Sequence, residues 1–252
     1  MIGGDYGRSN YHGVNLGLER RYSLGLQFSV NYTYAKLLDN IPSQDLGTTV
    51  VLTDYYNPKS NYGLGGNDIR HRVISAWTYD LPIGPGKLLS PSSKVLNAIV
   101  VGWSVSGIGE FYTGTPLGVS ELVNSTNSYS NAVRPNVVGN PDIPGERTRA
   151  EKLARWFNTA AFAASAPYTF GNAGRSFGRG PSFFELDGAL SKNFSWQERL
   201  KTEFRAEILN LTNHSNFANP NTQRGNPSFG QITALALGNQ ARIIQLGLRI
   251  SF

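Results

Sequence analysis

The sequence predicts an all-β, antiparallel fold: part of a transmembrane β-barrel, about seven or eight strands and incomplete as a barrel, with long connections on one side and short turns on the other. Three observations predict it. Apolar residues recur at every second position in separate segments along the chain. The strands they mark run to about 8 to 11 residues, close to the roughly 9 to 11 that a tilted strand needs to cross a bilayer. Short and long connections alternate between them.

The last segment is the clearest. In Arg242 to Phe252, Ile244, Leu246, Leu248, Ile250 and Phe252 share one parity, and Gln245, Gly247, Arg249 and Ser251 share the other. Successive strand side chains point to opposite faces, so one face is apolar and the other polar or small. In Leu200 to Ile208 the faces are Leu200, Thr202, Phe204, Ala206, Ile208 against Lys201, Glu203, Arg205, Glu207. In Phe184 to Phe194 they are Phe184, Leu186, Gly188, Leu190, Lys192, Phe194 against Glu185, Asp187, Ala189, Ser191, Asn193, with Lys192 a charge in the apolar row. Leu26, Phe28, Val30, Tyr32 and Tyr34 alternate with Gln27, Ser29, Asn31 and Thr33, and Val14, Leu16 and Leu18 alternate with Asn15, Gly17 and Glu19. Arg72 to Leu81 and Trp103 to Phe111 also alternate, but Ile74 and Ile108 break their parity.

Residues 20–25 and 195–199 read as tight turns, and 82–102 as a medium link that opens on Pro82-Ile83-Gly84-Pro85-Gly86 turn chemistry. Ser92 to Val101 reads as a short serine-capped helix. The connections 36–70, 113–182 and 210–241 are rich in Asn, Gly, Pro, Ser and Thr, and each far exceeds the roughly 15 residues at which unstructured loops become uncommon. If Phe252 ends on the periplasmic side, every short link falls in the periplasm and every long one outside. Tyr22, Tyr79, Trp103, Trp196 and Phe252 then fall at periplasmic ends, and Tyr11, Tyr34, Phe111 and Phe184 at outer ends, as two aromatic girdles would.

Composition bounds the function. Lys plus Arg minus Asp plus Glu is 23 − 17 = +6, and charged residues are only 16%. The absence of cysteine excludes disulfides, thiol catalysis, Cys-ligated zinc and iron–sulfur clusters. Mean hydropathy is negative, and the longest nearly apolar run, Val95 to Trp103, is too short for a membrane helix. The first residues, Met1-Ile2-Gly3-Gly4-Asp5, show no signal-peptide pattern. Alternation alone leaves a soluble sandwich open, since such a fold packs its apolar face inward; the loop lengths and the terminal Phe252 favour the membrane.

Chemistry finds little purchase, and neither enzyme nor cofactor is expected. His12, His71 and His214 have no metal-site spacing, and no metal is expected. Gly84-Pro-Gly86-Lys87 lacks the first glycine and the Ser/Thr of a phosphate loop, and no GxSxG elbow occurs. Ser215 adjoins His214, but neighbours on a strand face apart. The basic residues are scattered apart from Arg147, Arg149 and Lys152 to Arg155, on an expected loop helix whose Leu153, Trp156 and Phe157 pack onto nearby loop. Nucleic acid is therefore not expected; anionic lipopolysaccharide and outer-membrane lipid are the expected partners. The charges Glu185, Asp187, Lys201, Glu203, Arg205, Glu207 and Arg249 read as lining a lumen, where opposite signs on neighbouring strands fix register.

A set of ordered stretches carries a family resemblance. They are Tyr11-His-Gly-Val-Asn-Leu-Gly-Leu-Glu-Arg-Arg21, Asn31-Tyr-Thr-Tyr-Ala-Lys36, Asp68-Ile-Arg-His-Arg-Val-Ile-Ser75 and Asp80-Leu-Pro-Ile-Gly84. Gly102-Trp-Ser-Val-Ser-Gly107, Gly114-Thr-Pro116, Arg134-Pro-Asn136, Trp156-Phe-Asn158, Phe170-Gly-Asn-Ala-Gly-Arg175 and Arg179-Gly-Pro181 follow. Lys201 to Asn219, with its Phe-Arg-Ala-Glu core, and Leu246 to Phe252 complete them. Each is weak alone; in this order they resemble the C-terminal part of TonB-dependent outer-membrane receptors, in particular the Oar-like subgroup. The resemblance implies ligand uptake across the cell outer membrane through a barrel of about 22 strands, filled by a plug and coupled to TonB. Plug and N-terminal strands would lie outside residues 1–252, and strand counting points the same way. The resemblance also implies that Leu248, Ile250 and Phe252 form a signal read by the barrel-assembly machinery. Two other readings stay open: a non-transporting outer-membrane adhesin or structural barrel, and a soluble secreted β-protein that binds carbohydrate. The transported ligand (siderophore, cobalamin, glycan or peptide) stays open as well.

Overall fold

The computed structural model describes residues 7–40, 53–54, 56–84, 86–90, 93–128, 133–196 and 200–251. Seven long strands dominate it: β1 (Ser9–Ser23), β2 (Leu26–Asp39), β3 (His71–Asp80), β4 (Trp103–Tyr112), β5 (Phe183–Trp196), β6 (Leu200–Leu209) and β7 (Ile243–Ser251). They form one sheet in chain order, every neighbouring pair antiparallel, with the two-residue strand Gly63–Leu64 added beside the end of β2. The barrel is not closed: β1 and β7 are the two edges.

The register converts the seven alternating segments into two continuous faces. Val14, Leu16 and Leu18 sit opposite Tyr34, Tyr32 and Val30, and Phe28, Tyr32 and Leu26 sit opposite Trp77, Val73 and Tyr79. The row continues through Phe111 and Val105 to Phe184 and Leu190, then through Ala206 and Ile208 to Leu246 and Ile244. Because the side-chain period is two, one slipped residue at any pair would mix the faces, so the pattern itself fixes the register. Ile74 and Ile108 break parity in sequence because they stand on the polar face. Ile108 there opposes Ala76 on one side and Asp187 on the other.

The short turn between β1 and β2 is the pair Leu24–Gly25, with φ of 52° and 80°. Two positive φ values give the turn whose twist matches a hairpin, and Gly25 accepts it without strain. Gly25 also lies close under the next connection, where an added Cβ would come 3.0 Å from the Asp80 carbonyl. At the same end, α1 (Lys94–Val100) precedes β4, with the Ser93 hydroxyl accepting from the Leu96 amide, as the serine-capped helix requires. The turn expected at 195–199 lies largely outside the described residues.

At the opposite end the long connections fold into a cap. Two-residue ladders interleave them: Pro116–Leu117 with Gly178–Arg179, Asn136–Val137 with Phe162–Ala163, and Ser120–Glu121 with Gln223–Arg224. The helix α2 (Arg149–Ala154) starts on a capping box in which Thr148 and Glu151 bond each other's backbone amides. Val119, Phe157, Ala161, Phe162 and Ala173 are buried together, with Trp156, Phe177, Phe229 and Val137 packed around them. Phe157 meets Phe162, Phe177 and Phe229 edge to face, at centroid distances of 5.8, 4.8 and 5.2 Å. A hydrophobic core therefore sits in the connections rather than against the sheet.

Candidate functional site

Two surfaces and one cap define what the molecule can do. The first surface is the apolar face. Leu16 on β1 is 61% exposed and Leu246 on β7 is 71% exposed, and Leu248 and Ile250 share that exposure opposite Phe204 and Thr202. No second sheet covers this face among the described residues. Contiguous exposed aliphatic surface on this scale is unfavourable in water. Phe252 lies outside the described residues. No helix among the described residues is long and apolar enough to cross a membrane, which says nothing about crossing by strands.

The polar face gathers all seven charges singled out in the sequence. Glu185 opposes Glu110, Asp187 opposes Ile108, and Lys201 opposes Ser195 and Ser251. Glu203 lies between Asn193 and Arg249, Arg205 between Ser191 and Gly247, and Glu207 between Ala189 and Gln245. The register sets Glu203 directly opposite Arg249, opposite signs on neighbouring strands. The Arg205–Glu207 ion pair, at 2.8 Å, runs along one strand between residues two apart on the same face. A cross-strand ion pair forms between β3 and β4, where Arg72 meets Glu110 at 2.7 Å. It offsets the like charges of Glu110 and Glu185, which stand directly opposite. Asp187 is held otherwise: its carboxylate accepts the Asn210 amide at 2.8 Å, where the chain leaves β6.

The aromatics at the outer strand ends divide between the faces. Tyr34, Phe111 and Phe184 are on the apolar face, and Tyr34 packs beside the His71 ring, 5.2 Å between centroids. His71 Nδ1 is 2.9 Å from the Tyr32 hydroxyl, so this histidine is engaged as a polar group of the rim. Tyr11 reaches the outer end as expected but lies on the polar face, its ring folded over Gly13, where an added Cβ would come within 2.8 Å of the Tyr11 hydroxyl oxygen. Tyr112 and Phe183 stack on that face as well, 4.7 Å apart.

The cap is clamped to the sheet by charged groups whose pairing the sequence did not disclose. Asp68 is fully buried; it accepts the Leu37 amide at 2.5 Å and is ion-paired to Arg179, with Arg70 at 3.7 Å. Arg179 donates further to the Gly114 carbonyl at 2.9 Å and the Asp68 carbonyl at 3.0 Å. Arg175 pairs with Asp39, the last residue of β2, and donates to the Asn61 carbonyl at 3.1 Å. Arg134 donates to the Asn61 side chain at 2.7 Å and the Ser60 carbonyl at 2.9 Å. Burial, and then the nearby charge of Arg175, lower the Arg134 pKa from its ordinary value. Asn216 extends the sheet by side chain: it accepts from the Phe184 amide at 2.8 Å and donates to the Phe184 carbonyl at 3.0 Å, as a strand residue would.

Beside this clamp is an open cavity of about 290 Å³, lined in part by Leu117, Trp156, Phe157, Phe177, Asp142 and Arg179. The Trp156 indole closes one side and donates to the Arg179 carbonyl at 2.9 Å. Among the described residues no three His, Asp or Glu side chains converge as metal ligands would.

An exposed aliphatic face on an antiparallel meander, with long connections gathered at one end, is the build of a membrane β-barrel. The profile of the family described as outer membrane beta barrel domain matches residues 3–245. The chain belongs to that family, and its place is the outer membrane. Neither the curated proteins nor the solved structures contain a significant match to it. With the outer membrane assigned, the soluble carbohydrate-binding reading is set aside.

Proposed function

We propose that the chain is the C-terminal barrel portion of a TonB-dependent receptor-like transporter. The apolar face meets lipid and the polar face lines a lumen. The cap captures a ligand outside, and the lumen passes it inward after a plug moves. The observation that supports this reading most is the cap itself. Its clamping arginines Arg134, Arg175 and Arg179, the carboxylate of Asp68, and the core residues Phe157 and Ala173 with Trp156 beside them belong to stretches that carry the receptor resemblance. A folded outer cap with an aromatic-lined cavity suits ligand capture better than a bare barrel does.

Strand direction adds a constraint. β1 and β7 both run toward the short-turn end, so direct closure would pair them parallel. Leaving them unpaired in lipid would cost several kcal/mol for each bare amide or carbonyl. An antiparallel closure takes an odd number of additional strands, which the missing N-terminal part of a receptor barrel supplies.

The uptake test uses cells making the full-length protein and a panel of ferric siderophores, cobalamin, oligosaccharides and peptides. Uptake of one class that disappears when TonB is deleted is the expected result. Normal surface levels with no energised uptake of any class would favour the adhesin reading. The assembly signal is tested separately: deleting Phe252 should lower outer-membrane levels well beyond the effect of Phe252→Leu. Equal levels for the two variants would contradict a signalling role.

A further inference from the structure

Lys192 is a charged residue within the apolar parity of β5, opposite Trp103 on one side and Phe204 on the other. It is nonetheless only 3% exposed. Its Nζ donates to the Ala98 carbonyl at 2.7 Å and to the Ile99 carbonyl, and lies 4.9 Å from the Trp103 ring and 4.6 Å from the Phe194 ring. Trp103 donates its indole N–H to the same Ile99 carbonyl at 2.8 Å. Both donors stand on the apolar face, so α1 lies on that side of the sheet, at the end that bears the short connections. The last carbonyls of a helix have no partner within it and carry the negative end of its dipole. Here a lysine and an indole satisfy them, which holds the C-terminal end of α1 against β4 and β5.

Held this way, the helix exposes its aliphatic side. Val95 is 70% exposed and Ile99 59%, and Leu96 is exposed with them. At about 100° per residue these three fall within one arc of the helix. Leu88 and Leu89, just before the helix, are exposed too. The sheet face on which α1 sits continues directly into the row ending at Ile244 to Ile250. That continuity names the occupant: a surface contiguous with a lipid-facing row is covered by the same lipid.

We infer that α1 is an interfacial helix lying in the periplasmic leaflet of the outer membrane, anchored by Lys192 and Trp103, with Val95, Leu96 and Ile99 among the acyl chains. The inference rests on the apolar face being the lipid face. It also explains why a lysine interrupts the row: the charge is spent on docking the helix.

Residues 1–252 contain no cysteine, so a single spin label placed among them has no competing site there, and any cysteine elsewhere in the full-length protein is first replaced by serine. Labels at Val95→Cys and Ile99→Cys are read in the full-length protein, in vesicles of phosphatidylethanolamine and phosphatidylglycerol. Leu246→Cys on the sheet and Leu24→Cys at the turn serve as references. The expected ratio of oxygen to water-soluble nickel-chelate accessibility at Val95 and Ile99 matches Leu246 and exceeds Leu24 several-fold. Combining Val95→Cys with Lys192→Met should move that label's ratio toward the Leu24 value as the helix comes away. A Leu24-like ratio at Val95 and Ile99, with Leu246 remaining lipid-like, overturns the inference alone. Low accessibility of both labels to both reagents means that protein covers the helix, and also overturns it. A Leu246 label without lipid character overturns the lipid-face reading and the inference together.

Discussion

Asp68 holds the cap to the sheet with one carboxylate. It binds the Leu37 amide and Arg179 at once, and its side chain has no exposure. Removing it leaves the partly buried Arg179 guanidinium without its counter-charge and the Leu37 amide without its acceptor, which costs roughly 2–3 kcal/mol. Asp68→Ala should therefore speed proteolytic cutting within 113–182 while the sheet stays folded, as read by heat-dependent gel mobility; unchanged cutting would contradict the clamp. Gly107 is a second telling residue. It faces Trp77 across β3 and β4, and an added Cβ would come within 2.7 Å of the indole. A rigid ring cannot yield as a flexible chain end can, so Gly107→Val should cost about 1–3 kcal/mol. The measurement is the urea midpoint of the refolded protein, with Gly107→Ala milder and an unchanged midpoint contrary. Neither residue's role was visible in sequence. The Asp68-Ile-Arg stretch was legible only as part of a resemblance, because its partner Arg179 is more than a hundred residues away.

The strands were the most legible elements, and the reason is physical. A single sheet with two unlike solvents imposes a strict two-residue period, so the pattern marks the strand, its face and its register together. It fails where both faces tolerate an aliphatic group, as at Ile74 and Ile108. Helix α1 was legible by its serine cap; α2 was expected from its basic cluster with Leu153, Trp156 and Phe157, but it ends at Ala154, short of both aromatics, and its capping box was not foreseen. The cap as a folded unit was not, because its core draws residues from Val119 to Phe229 with no period and is closed by side-chain bonds of Asn and Arg. One cap element makes a pH prediction. The Thr148 backbone amide, then its hydroxyl, hold the Glu151 pKa below its ordinary value. A depressed folded pKa means that the contribution to α2 is present above the unfolded carboxylate pKa and is lost as pH falls through the folded one. Amide exchange at Glu151 and Lys152 should accelerate over that acid interval beyond the intrinsic rate, and Glu151→Gln should remove the extra acceleration. The same acceleration in Glu151→Gln would contradict the capping account.

At the scale of the molecule, the cap and the sheet answer to different solvents. The cap has its own buried core and clamps, as a water-facing unit must. Among the described residues the sheet has no apolar core of comparable size; most of its large aliphatic side chains share one face and most of its charges the other, with Ile74, Ile108 and Lys192 the exceptions. That inversion is the central claim, and a cysteine scan of residues 243–251 tests it most directly. Spin labels placed one at a time along β7, in the full-length protein in lipid vesicles, are measured for oxygen and nickel-chelate accessibility. The account predicts strict alternation: lipid-like values at 244, 246, 248 and 250, and water-like values at 245, 247 and 249. Equal values on both parities, or an apolar parity that neither reagent reaches, would contradict it.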